Sequence, residues 1–226
     1  MRRTRTSHAL ACLALLSIGA AAGGDAAADV AIFTFSVDGG EKSSVEIKPG
    51  PDPTGQVAYT TTVELEDLIL NVYCIANLVP GGTSVVNNTF TILNLGAEPR
   101  TVLCHVVVAL PETLYSNVLV GGVSSMRLTT DADGGELTCA PGSTAAIGLV
   151  KQQGVVHQLF YCPFQLAISG QGTIVSNTFF GLPIPSLPVA GPISLVGQST
   201  GITITPGDTA TSKLAFGIKG NPIPLP

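Results

Sequence analysis

The chain contains no tryptophan, and aromatic residues make up only 5% of it. That argues against the broad aromatic platforms on which many proteins stack sugars. Charged residues are only 11%, too few to coat the wet faces of several amphipathic helices. Of three histidines, His8, His105 and His157, only the last two lie beyond the N-terminal segment. There is no His-Glu-x-x-His pair, no glycine-rich phosphate loop and no Cys-x-x-Cys pair. The commonest signatures of zinc proteases, nucleotide enzymes and zinc modules are thus missing. Beyond the N-terminus no apolar run approaches the roughly 20 residues of a membrane-spanning helix.

What the chain has in quantity is 26 glycines, 16 prolines and 45% apolar residues, with Val, Ile and Thr prominent. This mix favours many short strands joined by tight turns. Val57–Leu65 shows the period clearly: Val57, Tyr59, Thr61, Val63 and Leu65 alternate with Ala58, Thr60, Thr62 and Glu64. Val30–Val37, Ser44–Lys48, Ser84–Leu95, Gly172–Phe180 and Lys213–Ile218 also read as strands. Thr101–Leu110 is a continuous apolar run, the form of a strand covered on both faces. Asn94–Pro99 reads as the turn before it. Ala145–Val150 and Val155–Tyr161 form a hairpin pattern around Gln152–Gly154. The prolines of Pro49–Gly55 predict an unpaired loop, and those of Gly181–Pro192 an extended crossover or edge. Gly121 and Gly122 separate the strand Thr113–Val120 from Val123–Thr130. A short helix over Val63–Leu70 competes with strand there. About a dozen strands predict an all-β fold, a β-sandwich whose spacing also suits an immunoglobulin-like topology.

Residues 1–28 have the form of a secretory signal peptide: basic Met1–His8, apolar Ala9–Gly19, then small residues ending at Ala28. Cys12 lies inside the apolar stretch, which excludes a lipobox cysteine. Removing this segment takes away Arg2, Arg3, Arg5 and Asp25. It leaves seven basic and fourteen acidic residues, a net charge of −7. Scattered cations in an acidic chain give no footprint for nucleic acid. Residues 29–226 then form a single domain of 198 residues. The alternative is two small sandwiches split near Glu136, because Tyr73-Cys74 and Val86–Phe90 resemble Tyr161-Cys162 and Val175–Phe179. Four cysteines remain, which in an exported chain predicts two disulfides. Pairing neighbours in sequence gives Cys74–Cys104 and Cys139–Cys162.

Few residues carry chemistry. Asp131, Asp133 and Glu136 place three carboxylates in one short turn, a candidate calcium loop; the competing reading is a β-turn that uses Asp and Gly for geometry. Glu64, Glu66 and Asp67 resemble a carboxylate pair for acid–base work, against a solvated corner. His105 and His157 are the histidines a Ser-His-Asp hydrolase would need. Asn87-Asn-Thr89 fits a glycosylation acceptor.

Several stretches carry a family resemblance: Asp52-Pro53, Asn88–Asn94, Ala109–Pro111, Gly121-Gly122, Thr130–Gly135, Phe180–Ser186 and Ile202–Asp208. The chain resembles a group of secreted bacterial β-proteins, many of which end in a PEP-CTERM sorting tail; no such tail is visible in Asn221–Pro226. The resemblance implies export and one β-domain over about Pro51–Ile218. It implies no activity and no functional residue.

The expectation is therefore a non-enzymatic secreted or cell-surface β-sandwich, structural or adhesive, which self-associates through exposed strand edges. A lectin-like extracellular module for surface glycans, assisted by calcium, is the second expectation. A hydrolase is the third. No organic cofactor, nucleic-acid partner or transmembrane segment is expected.

Overall fold

The computed structural model describes residues 30–51, 57–77, 83–109, 116–151, 154–181, 185–192 and 195–221. The expected signal peptide, residues 1–28, lies outside the described residues, as does most of the Pro49–Gly55 segment. Among the described residues there is no helix, and none long and apolar enough to cross a membrane.

Sixteen strands follow one another: β1 (Ala31–Val37), β2 (Ser43–Ile47), β3 (Pro49–Pro51), β4 (Val57–Leu65), β5 (Leu68–Asn77), β6 (Thr83–Asn94), β7 (Arg100–Ala109) and β8 (Ser116–Thr130). Then come β9 (Gly135–Cys139), β10 (Ala146–Lys151), β11 (Gly154–Phe160), β12 (Gln165–Ile168), β13 (Gly172–Phe180), β14 (Leu187–Pro192), β15 (Leu195–Ile204) and β16 (Thr209–Asn221). They form two eight-stranded antiparallel sheets. The first runs β11-β10-β15-β7-β1-β2, with β9 also on β15 and β12 on β9. The second runs β13-β8-β16-β6-β5-β4-β3, with β14 also on β8. Strands from both sides of Glu136 interleave, since β16 lies between β6 and β8, and β15 lies beside β7.

Alternation decides which side chains enter the core. In β7, Val102, Cys104, Val106 and Val108 are buried, while Thr101, Leu103, His105 and Val107 are half-buried on the other face. The run is therefore one-sided, not covered on both faces as its unbroken apolar sequence predicts. Opposite it, Leu70, Val72, Cys74, Phe90, Ile92, Met126, Leu128 and Leu214 line the inner face of the second sheet. Phe33 touches both Phe35 and Phe90, with ring centroids 5.3 and 6.1 Å away.

Several local expectations change. Val63–Leu70 holds no helix: β4 and β5 form a hairpin with Leu65 opposite Leu68. Pro49–Pro51 does pair, as a three-residue edge beside β4, where a missing N–H costs nothing. Leu187–Pro192, by contrast, is the edge its prolines predict, pairing along β8. β12 has no counterpart in the sequence reading. Gly121 and Gly122 do not end a strand, because β8 runs through them. A Cβ on Gly121 would stand 2.2 Å from the carbonyl oxygen of Gly181. The glycine admits a crossing backbone between β13 and β14.

The disulfide pairing is half corrected. Cys139 and Cys162 are bonded, with Cα atoms 6.0 Å apart. Cys74 and Cys104 are free and buried. They are close in sequence, but the chain changes sheet between them, so they stand on opposing sheets. A disulfide needs Cβ vectors aimed at one another, which nearness in sequence does not supply. Both act as small hydrophobes in the core, and burial pushes the Cys74 thiol up to about 12 and that of Cys104 up as well.

Two expectations follow. Alkylation of the denatured, unreduced mature chain will label two thiols and, after reduction, four; no label before reduction would contradict the free pair. Replacing Cys139 by Ala will destabilise the fold by about 3 kcal/mol, the chain entropy released by a loop of this size, read from urea unfolding.

Candidate functional site

Sequence-predicted carboxylates gather at one end of the sandwich, where the chain repeatedly crosses between sheets. The turns β6–β7, β8–β9, β12–β13 and β15–β16 all cross there. Two buried polar side chains organise this end. Asn94, fully buried, donates from Nδ2 to the carbonyls of Glu98 and Ile204 at 2.9 and 3.2 Å, and its Oδ1 accepts from the Gly96 N–H. Its backbone bonds both ways to the β15–β16 turn, through Asp208 O and Gly207 N. Asp208, also fully buried, accepts from the Asp131 N–H at 3.3 Å and from the Thr205 hydroxyl. Thr205 Oγ1 in turn accepts from the Glu136 N–H at 2.7 Å.

This places the candidate calcium residues. Asp131 Oδ1 accepts from the Asp133 N–H at 3.0 Å, closing its own turn. Glu136 Oε1 accepts from Gln165 Nε2 at 2.8 Å, across to β12. Among the described residues no three His, Cys, Asp or Glu side chains form a group that could hold a metal ion. The Asp131 and Glu136 carboxylates thus bind a turn N–H and a neighbouring strand, while Asp133 contributes its backbone N–H. Gly134 has φ +82°, and a Cβ there would lie 2.4 Å from the Ile168 carbonyl oxygen, so the turn demands glycine for conformation and for space. Asn94, Thr130–Gly135 and Ile204–Asp208 meet at this end.

The other candidates stay apart. Asp67 and Asp38 both bind the guanidinium of Arg100, Asp38 at 2.6 Å, and Arg100 begins β7. Glu64 and Glu66 are exposed beside them and share no described partner. His105 lies half-buried on the outer face of the first sheet, with Thr34 and Ser199 in register beside it. Burial, then the charge of Lys42, lowers its pKa. Thr34 bonds Ser44 instead, at 3.0 Å. The side chain of His157 is not among those described. No nucleophile–histidine–carboxylate chain is present among the described residues.

Sequence reading passed over the outer face of the second sheet. There Asn177, Ser125, Lys213 and Thr89 stand in one row across β13, β8, β16 and β6. The next row is Phe179, Val123, Ala215 and Asn87. Short Ala215 lowers the surface between its neighbours, and a shallow depression opens over both rows. Phe179 is 71% exposed and Val123 48%. The available signal was the hydroxyl- and amide-rich alternation of β6, β13 and β16.

Comparisons with known proteins complete the description. No family model matches the chain, and no curated protein does. Among solved structures it is weakly similar to a putative aldose 1-epimerase from Escherichia coli K12. That match has 12% identity, covers 78% of this chain and 69% of that one, and has a TM-score of 0.26. The extra C-terminal domain of a Pseudoalteromonas exo-1,3/1,4-β-glucanase shows 10% identity over 82% of this chain and 84% of its own, with a TM-score of 0.19. A carbohydrate-binding module of the β-sandwich superfamily shows 8% identity over 85% and 84%, with a TM-score of 0.22. Scores this low transfer no function.

Asp208 provides the test of the corner. Its pKa is raised from the ordinary 3.8, first by burial, against the lowering hydrogen bonds from Thr205 and Asp131, with repulsion from the Asp131 and Asp133 carboxylates adding to the rise. A folded-state pKa above the unfolded one means that the native state holds the proton more tightly. This group's contribution is therefore fully present below 3.8 and is lost as pH rises through its raised value. Asp208→Asn cannot titrate. Urea unfolding across that window will show wild type losing stability relative to Asp208→Asn as pH rises; a pH-independent difference would contradict the assignment.

Proposed function

We propose that the protein is a non-catalytic, exported β-sandwich with a structural or adhesive role, and that it assembles with copies of itself through β13. The observation that carries this is the edge formed by that strand. Gly172–Phe180, GTIVSNTFF, runs nine residues and, among the described residues, pairs only with β8, along one side. It contains no proline and no charged residue. Among the other edges, β3 and β14 carry prolines and β2 carries Glu46 with Lys42 and Lys48 close by, while β11 and β12 lack both but are shorter, at seven and four residues. Proline and charge are the usual means of stopping strand addition, and β13 has neither. Its alternating β-branched residues fit a second strand added antiparallel, with main-chain hydrogen bonds supplying affinity.

The Cys139–Cys162 disulfide supports export to an oxidising compartment. Light scattering of the oxidised mature protein will show mass rising with concentration. Ser176→Lys or Thr178→Lys places a charge at the half-buried rim of β13 and will leave a monomer with an unchanged melting temperature. A wild-type protein that is monomeric throughout the series would refute the assembly reading.

A further inference from the structure

We infer that the outer face of the second sheet is a binding site for an acidic polysaccharide, a chain of sugars bearing carboxylate groups. The first support is charge. The chain has a formal net charge of −5, yet the outward positions of β13, β8 and β16 carry Arg127, Lys213 and Lys219 and no acid. On this face Glu64 lies three strands from β16, on β4, and Asp131 lies past the turn end of β8. Arg127 and Lys213 form no ion pair with any described acid; the ion pairs among the described residues belong to Arg100. Arg127 stands opposite Thr211, two residues along β16 from Lys213. That diagonal spacing is about 7–8 Å, so two uncommitted cations stand side by side on a surface of otherwise negative protein.

The second support is what surrounds them. Asn177, Ser125, Thr89 and Asn87 offer carboxamides and hydroxyls along the adjoining rows, and none of them is taken by a described side-chain hydrogen bond. Planar amides and hydroxyls match the paired donors and acceptors of sugar hydroxyls. Neighbouring strands lie about 4.8 Å apart, so the row from Asn177 to Thr89 offers a polar group at each step over about 14 Å. Phe179 and Val123 border the depression, exposed apolar surface against which the C–H face of a sugar ring packs. Lys and Arg then take the carboxylates in charge-assisted hydrogen bonds. Three cations on broad neutral ground are too sparse for a phosphate backbone, which demands a dense basic track.

This site is distinct from the strand edge, because the side chains project from the face while the edge pairs in the plane of the sheet. The test is affinity electrophoresis of the mature protein in polygalacturonate, in its methyl-esterified neutral form, and with phosphatidylglycerol vesicles as a separate arm. Polygalacturonate will retard the protein, less so at high salt, and the ester will not. Arg127→Gln/Lys213→Gln will weaken the interaction at least about tenfold with an unchanged melting temperature, whereas Glu64→Gln will not weaken it. Monomeric Ser176→Lys will still bind, which separates this site from the assembly reading. Equal retardation by the ester, no retardation, an unaffected double variant or binding to vesicles alone would each overturn the proposal.

Discussion

The fold depends on two buried polar side chains at one end of the sandwich, Asn94 and Asp208. Four chain crossings between the sheets converge there, and each leaves backbone groups without a ladder partner. Asn94 satisfies three of them with one carboxamide, while Asp208 and Thr205 hold the β8–β9 turn against the β15–β16 turn. Removing one partner from a buried pair costs about 1–3 kcal/mol, because the other stays desolvated. These contacts therefore specify how the sheets register. The raised pKa of Asp208 shows the cost of burying a carboxyl group among other acids.

The opposite constraint governs the rest of the molecule. Long alternating strands bury one face each, and the packed faces form a core in which Cys74 and Cys104 count only as small apolar groups. Gln198 and Ser212 bring a buried hydrogen bond of 2.6 Å into that core, linking β15 of the first sheet to β16 of the second. The outward faces carry only ties between neighbouring strands, such as Thr34 to Ser44 and Thr129 to Thr173. Structural polar groups are thus committed at the turn end, whereas Arg127, Lys213 and Asn177 are uncommitted on the broad face.

This division shapes the functional reading. Of the acidic residues expected as a metal loop, Asp131 and Glu136 make hydrogen bonds that hold the turns. The groups free to meet a partner are the uncharged edge of β13 and the cationic, amide-lined face beside it. Both are extended surfaces, suited to an adhesive or matrix role and unlike a catalytic cleft.

Alternation in Val57–Leu65, Ser84–Leu95 and Gly172–Phe180 made the strands and the all-β class legible in the sequence, because strand geometry repeats every two residues and burial follows it. The Cys139–Cys162 pair was legible too, as local spacing. What the sequence could not convey was which strand lies beside which. Whether Cys74 meets Cys104, whether Gly121 breaks β8 or admits Gly181, and whether Asp208 ends a turn or lies buried beneath it all depend on residues distant in the chain. The row from Asn177 to Thr89 likewise exists only once β13, β8, β16 and β6 are side by side. Local periodicity is a property of a segment and can be read from it; register and sheet crossing are set by the packing of the whole core, and only the tertiary structure decided them.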